Sequence, residues 1–313
     1  MTADTRDVLV LRALGIGDLA TGVPALRAVR AAHPAATITL AAPAWLAGLV
    51  DLVGAVDGLD PVGGLDGRPP DRSAYQLLVN LHGRGPQSHR LLAPLGGRLW
   101  AFRNEAAGWS HGPVWRADEH EVARWCRLVA WYGAPADPAD LALSRPPPVA
   151  AGATLVHPGA KSPARRWPPE RFAAVARTLH TTGHHVLITG SPDDAGLAAQ
   201  VADLAGLPPS RAVAGGTDVA GLAALVAHAR LVVCGDTGVG HLATAYGTPS
   251  VVLFGRLGPH LWGPPPDRPQ HQALWRPEFA GGPGEPGTPY AELLSLQPGD
   301  VLDAAAQALA ATP

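Results

Sequence analysis

The sequence predicts an α/β protein of two domains, each a doubly wound parallel sheet, and three observations carry that prediction. The chain has 313 residues, about twice an ordinary domain. Short apolar runs suited to buried parallel strands alternate with segments of helical spacing through both halves. Between the halves, residues 137–152, "DPADLALSRPPPVAAG", are rich in Pro and Ala and lack periodicity, as a linker would. The expected domains are 1–148 and 149–313, facing each other across a central cleft.

In order, "DVLVLRA" reads as a buried strand, "LGIGD" as a glycine turn, and "LATGVPALRAVRAAHP" as a helix with apolar residues at Leu19, Val23, Leu26 and Val29. "ATITLAAP" is the next strand, "AWLAGLVDLV" a helix and "YQLLVNLHG" a further strand. In the second half "ATLVHPG" is a strand, and "PPERFAAVARTLHTTG" is a helix stopped by Gly183. The strand "HHVLITG" and the helices "DDAGLAAQVADLAG" and "VAGLAALVAHA" follow. "RLVVCGD" is a strand, "TGVGHLATAYG" a helix, "SVVLFG" a strand and "PGDVLDAAAQALAA" a terminal helix. Residues 256–290, with "GPPPDRP" and "AGGPGEPGTP", read as a long ordered loop.

Composition excludes several classes. With 47% apolar residues the chain fills two cores, and a net charge of −2 gives no basic field for nucleic acid or anionic lipid. An anionic ligand must then be held by local groups. Cys126 and Cys234 lie far apart, which suits buried thiols better than a disulfide framework or a metal cluster. "MTADTRDVLVLRALGIGD" has neither a charged n-region nor an apolar h-region, and no apolar run approaches the roughly 18 residues of a membrane span. The expectation is a cytoplasmic protein. Arg is used almost everywhere a base occurs, and Lys161 is the single lysine.

Four strand ends carry the chemistry, which suits open α/β sheets because ligands bind beyond their carboxyl edge. In "GDTGVGHLATAYG" a strand ends at Gly235, and Asp236, Thr237 and Gly238 open a helix whose free N–H groups and positive dipole end suit a phosphate. His241 lies on its first turn. The plainer reading makes Asp236 or Thr237 a helix cap and His241 a packed histidine. In "HPGAKSPARRWP" Lys161, Arg165 and Arg166 precede a helix started by Pro168 and Pro169. Lys is a compact, mobile point charge that Arg does not replace at a phosphate. The alternative there is a solvated basic loop, with Trp167 packed beneath it.

In "LRALGIGDLA", Gly15, Gly17 and Ala20 match the dinucleotide spacing G-x-G-x-x-A. Asp18, however, stands where a pyrophosphate would meet the helix and would repel it, and the second strand lacks the acidic residue a ribose needs. A carboxylate at this turn is better suited to taking a proton from a hydroxyl nucleophile. Its alternative is a helix cap. "NLHGRGPQSHR" brings His82, Arg84 and Gln87 to a fourth strand end, as acceptor-side groups or as a basic loop without a ligand.

Taken in order, "LRALGIGDLATGVPALRAVRAAHP", "NLHGRG", "HPGAKSPARRWPPERFAAVARTL", "GDTGVGHLATAYGTPSVVLFG" and "HLWGP" resemble glycosyltransferase family 9, best known for ADP-heptose:lipopolysaccharide heptosyltransferases. The resemblance covers nearly the whole chain. It implies a GT-B fold of two Rossmann-like domains, an acceptor on the first and a nucleotide-sugar donor, ADP-heptose, on the second. It also implies inversion at the anomeric carbon without a metal or cofactor, and the chain has no strand-flanked D-x-D motif. By position, Asp18 matches the family's catalytic aspartate and Lys161 its basic residue at the donor phosphate. Asp236, Thr237, Gly238 and His241 match the stretch around the diphosphate, and Asp194, with Asp193 as alternative, the acidic residue at the donor ribose. Arg256 and Leu257 stand where the family usually has a Pro-Thr pair, and its C-terminal cysteine pair is replaced by the Gly/Pro loop.

The implied reaction is one displacement. Asp18 takes the acceptor proton as its oxygen attacks, and Lys161, Arg165 or Arg166 and the helix N-terminus at Thr237 meet the charge on the departing diphosphate. The acceptor is a glycan, a lipid-linked sugar or a small natural product. Three other classes share parts of the pattern: a nucleotide-sugar epimerase of the same architecture, a nicotinamide dehydrogenase disfavoured by Asp18, and a catalytically silent binding protein.

Overall fold

The computed structural model describes residues 7–66, 75–280 and 287–312. Two compact units divide the chain, one running to Ser144 and the other starting at Arg145. The change of unit falls inside the Pro- and Ala-rich segment and is anchored on both sides. Ser144 N–H donates to the Leu52 carbonyl of its own unit at 2.9 Å. The Arg145 guanidinium donates to the carbonyls of Ala227 and Tyr246, the last residues of two helices of the second unit. A cation on two helix C-termini meets both unpaired carbonyls and the negative dipole ends.

The first unit is a five-stranded parallel sheet. Strands β1 (Val8–Leu11), β2 (Ile38–Ala42), β3 (Gly58–Pro61), β4 (Leu77–Asn80) and β5 (Arg98–Trp100) stand in the order β3-β2-β1-β4-β5. Every residue of β1 and β4 is buried, which is why β1 reads as an unbroken apolar run and β4 as one that ends in the buried Asn80. Helix α1 (Ile16–Ala32) follows β1, α2 (Ala47–Val50) follows β2, α3 (Gln87–Leu92) follows β4 and α4 (Glu121–Trp131) closes the unit. The second unit repeats the plan. Strands β6 (Thr154–His157), β7 (Val186–Ile188), β8 (Leu231–Gly235), β9 (Ser250–Leu253) and β10 (His271–Leu274) are parallel in the order β10-β9-β8-β6-β7. Its helices are α5 (Pro169–Thr181), α6 (Ala195–Leu204), α7 (Val219–Ala227), α8 (Gly238–Tyr246), α9 (Pro259–Trp262), α10 (Ala291–Ser295) and α11 (Pro298–Ala310). Gly183, at φ +92° just beyond α5, takes the left-handed conformation that ends the helix.

Beyond α3, β5 and α4, which the sequence reading does not name, two differences from it have physical causes. Residues 256–290 are not a loop throughout: α9 lies there, and β10 pairs with β9 from His271↔Ser250 to Leu274↔Leu253. Residues 281–286 of that stretch lie outside the described residues, as do residues 1–6 of the N-terminal segment. β10 carries no apolar run because, as an edge strand, only His271 of its four residues is buried. The edge strand β3, "GLDP", likewise carries no strand pattern and owes its state to pairing with β2.

Each sheet has one place where the chain turns to the opposite side, between β1 and β4 in the first and between β6 and β8 in the second. Loops leaving adjacent strands there diverge at the carboxyl edge and open a crevice. The four predicted strand ends are these: Asp18 after β1, His82 and Arg84 after β4, Lys161 after β6, and Asp236 after β8.

Buried neutral histidines tie stability to pH. Burial pushes the imidazoles of His157 and His271 down to about 4. Their folded pKa lies below the unfolded value near 6.5, so the unfolded chain takes the proton first as pH falls. The contribution is complete above pH 6.5 and is lost from there toward pH 4, at about 1.4 kcal/mol per pH unit per histidine. Thermal melts are expected to fall by several degrees between pH 7.5 and 5, with a flatter slope in His157→Gln.

Candidate functional site

The candidate site of the first unit is built around α1. Its N-cap is Gly15, in an extended conformation at φ −96°, and Asp18 Oδ2 accepts the Gly15 N–H at 3.1 Å, closing the first turn from the inside. The plainer reading of Asp18 as a helix cap is thus met by one of its oxygens. The other, Oδ1, has no hydrogen-bond partner among the described residues.

His82 stands beside it. Its Nδ1 accepts the Ala13 N–H at 3.2 Å, and its own N–H donates to Asn80 Oδ1 at 3.2 Å. Burial, reinforced by the nearby Arg12 guanidinium, pushes its pKa down to about 4, so the ring is neutral at pH 7. With Nδ1 accepting, the proton resides on Nε2. Arg84 is exposed, and its carbonyl accepts from Asn104 Nδ2 at 2.8 Å.

Sequence reasoning missed the group that ties these turns together. Arg12 is fully buried: its Nε donates to the Asp18 carbonyl, Nη1 to the Leu81 carbonyl, and Nη2 to Thr21 Oγ1 at 3.0 Å. It lies 3.6 Å from Glu121 and 4.8 Å over the Trp125 ring. Glu121 also pairs with Arg124 and accepts Trp125 Nε1–H at 2.7 Å. A charged residue ending the apolar run "VLVL" was the available signal, since an arginine there is buried only if it is paired.

The candidate site of the second unit is built on the β6 and β8 loops. Neither Asp236 nor Thr237 caps α8: the helix has no side-chain cap, and the N–H groups of Gly238 and Val239 have no partner among the described residues. Thr237 Oγ1 is buried without an oxygen or nitrogen partner. Asp236 turns instead to Arg165, whose Nη2 donates to its carbonyl and to its Oδ2, both at 2.6 Å. That pair fastens the β6 loop to the start of α8. Lys161 is exposed on this loop and makes no hydrogen bond or ion pair among the described residues. Arg166 holds the backbone next to it, donating to the Ala160 carbonyl at 3.2 Å. His241, half-buried, meets the Trp262 ring edge-on at 6.0 Å. Cys234 beneath is a buried thiol pushed up to about 12 by burial, which makes it inert.

Asp194 is held within its own turn and against the β6 loop. It is buried, and its Oδ2 accepts both Ser191 N–H at 3.1 Å and Ser191 Oγ at 2.6 Å, a capping box that starts the turn before α6. Oδ1 faces Arg166 at 3.4 Å. A Cβ on Gly159 would come within 2.4 Å of this carboxylate, so the β6 loop packs directly on it. Asp193 is the exposed carboxylate of the pair.

Among the described residues no three His, Cys, Asp or Glu side chains group as metal ligands, and no helix is long and apolar enough to cross a membrane.

The chain from 116 to 279, just over half of it, matches the family model of glycosyltransferase family 9 (heptosyltransferase). It is 34% identical over 112 residues to lipopolysaccharide heptosyltransferase 3 of Escherichia coli, an overlap covering 35% of this chain and 33% of that protein. The alignment thus spans about a third of the length of this relative. Over the whole chain, a glycosyltransferase family 9 structure from Veillonella parvula superposes with a TM-score of 0.80 at 19% identity, covering 100% of this chain and 99% of that one. The E. coli ADP-heptose lps heptosyltransferase II structure superposes at 0.77 with 21% identity, covering 97% and 98%. At those identities the likeness establishes the fold, GT-B. Together with the family match, which contains Lys161, Arg165, Asp194, Asp236, Thr237, Gly238 and His241 in its span, it makes this chain a member of glycosyltransferase family 9.

Proposed function

We propose that the protein is an inverting, metal-independent heptosyltransferase that moves a heptose from ADP-heptose to a hydroxyl of a glycan, lipid-linked or small natural-product acceptor. The observation that carries this reading is the uncapped start of α8, with Gly238 and Val239 N–H free among the described residues, a buried Thr237 hydroxyl and the single lysine of the chain on the neighbouring loop. Such a terminus is an anion site, and a diphosphate fits its donors. The second unit takes the donor and the first the acceptor, with His82 and Arg84 on the acceptor side.

In the reaction the acceptor oxygen attacks the anomeric carbon from the face opposite the diphosphate. Its proton passes to Asp18, the new glycosidic C–O bond forms, and the bond to the β-phosphate oxygen breaks with its electron pair leaving on ADP. The developing charge is met by the Lys161 ammonium and by the α8 N–H groups, which the helix holds in place before the reaction begins. Asp18 Oδ2 is held by Gly15 while Oδ1 is available, so the base is oriented without losing its lone pairs.

Calorimetry with ADP, UDP, GDP and ADP-heptose, in the absence of metal, tests the donor. ADP is expected to bind in preference, and Lys161→Ala to weaken it by roughly 1 to 3 kcal/mol, the range for a charged hydrogen bond. Equal binding of all nucleotides, or no effect of Lys161→Ala, would reopen the assignment. Conversion of the donor to its epimer with no acceptor present would favour an epimerase, and release of free nucleotide only when acceptor is added would reject it.

A further inference from the structure

We propose that Arg12 is a positioning residue that locks the Asp18 turn to the His82 turn, so that Nε2–H of His82 orients the same acceptor hydroxyl from which Asp18 removes the proton. The inference rests on the assignment of Asp18 as the base. It goes beyond that assignment by giving His82 a hydrogen-bonding role and Arg12 the task of keeping the two groups in register.

The geometry has three parts. First, one guanidinium reaches both turns, donating to the carbonyls of Asp18 and Leu81, the residue before His82. A planar fork can hold two backbone segments at fixed separation, which a lysine ammonium on a flexible stem does not. Second, Thr21 Oγ1 accepts from Arg12 at 3.0 Å and donates to the Asp18 carbonyl at 3.0 Å, so the first turn of α1 is gripped from two sides. Third, the Ala13 N–H on His82 Nδ1 fixes the tautomer, leaving Nε2–H as a donor without a partner among the described residues. A donor on the acceptor oxygen fixes where its lone pair points, and a base on the same oxygen takes its proton.

The site around Arg12 is built for this. Gly22 faces it, and a Cβ there would lie 2.8 Å from Nε. Glu121 balances its charge but does not depend on it, because Arg124 and Trp125 also hold that carboxylate. Replacing Arg12 therefore leaves Glu121 paired.

The test uses Arg12→Met and the milder Thr21→Val, with Thr21→Ser as the conservative control, in the full chain. Arg12→Met is expected to lower kcat by 10- to 100-fold and Thr21→Val by 3- to 10-fold, with ADP affinity within twofold of the parent and Thr21→Ser near the parent. In an Asp18→Asn background Arg12→Met is expected to add less than a threefold loss. Nitrogen-15 NMR of the imidazole supplies a readout independent of turnover. The parent His82 is expected to stay neutral and Nε2-protonated through pH 5, and Arg12→Met to raise its pKa and mix the tautomers. Unchanged His82 resonances in both Arg12→Met and Thr21→Val, or full multiplication of the Arg12→Met and Asp18→Asn losses, would overturn the proposal. Full activity of Asp18→Asn alone would instead remove the base assignment, an outcome the NMR result distinguishes from failure of the lock.

Discussion

Asp18→Asn is expected to reduce kcat by about 10²- to 10⁴-fold, the span for loss of a general base, with little change in stability or donor affinity. The reason lies in the two jobs of this side chain. One oxygen accepts the Gly15 N–H and closes the first turn of α1. An asparagine carbonyl can do the same, so the helix start survives and only proton uptake is lost. Asp18→Ala removes both, and is expected to cost about 1 kcal/mol of stability in addition, as a lost cap does. Comparing the two by turnover and thermal melting separates chemistry from architecture. If Asp18→Asn turned over like the parent while Asp18→Ala merely melted earlier, the carboxylate would be a cap and nothing more.

The strands that place these groups were legible because they are buried on both faces, and the helices because one face is apolar. β1, β4, β6, β8 and β9 are buried throughout and mostly apolar, and a run that must be buried announces itself. The edge strands β3 and β10 were silent, since the neighbouring strand holds them and not their own composition. The site followed the same division. The turns bearing Asp18, His82, Lys161 and Asp236 were readable from glycine and charge at strand ends, and the structure puts them at the two switch points. What the sequence could not carry was pairing between distant residues. Asp194 as a capping partner of Ser191, Arg165 as the partner of Asp236, and Arg12 as the tie between Asp18 and Leu81 are each set by the fold. A charged side chain in a sequence does not say whether it faces a ligand or a neighbour.

Arg165→Ala should weaken donor binding more than its own lost contact would suggest, because it also releases a carboxylate. Asp236 lies at the entrance to α8, and its charge is now neutralised by Arg165 at 2.6 Å. Without that partner a full negative charge would stand beside the N–H groups proposed for the diphosphate. At an effective dielectric near 20, two charges 5 Å apart repel by about 3 kcal/mol. The Arg165 side chain is 37% exposed. Solvent screening therefore reduces that repulsion to about 1 to 2 kcal/mol. Adding the loss of the arginine's own field gives about 2 to 3 kcal/mol, roughly a 30- to 150-fold rise in the ADP dissociation constant. The mechanism makes a sharper demand on the double variant. Asp236→Asn in the Arg165→Ala background removes the liberated charge and is expected to recover about tenfold in affinity. The same substitution in the parent, where the carboxylate is already neutralised, should gain nothing. Recovery in the double variant with no gain in the single one would establish that the ion pair keeps Asp236 from opposing the donor. Equal affinities of Arg165→Ala and the double variant would mean that this carboxylate never faces the phosphate, and that Arg165 serves only to tie the β6 loop to α8.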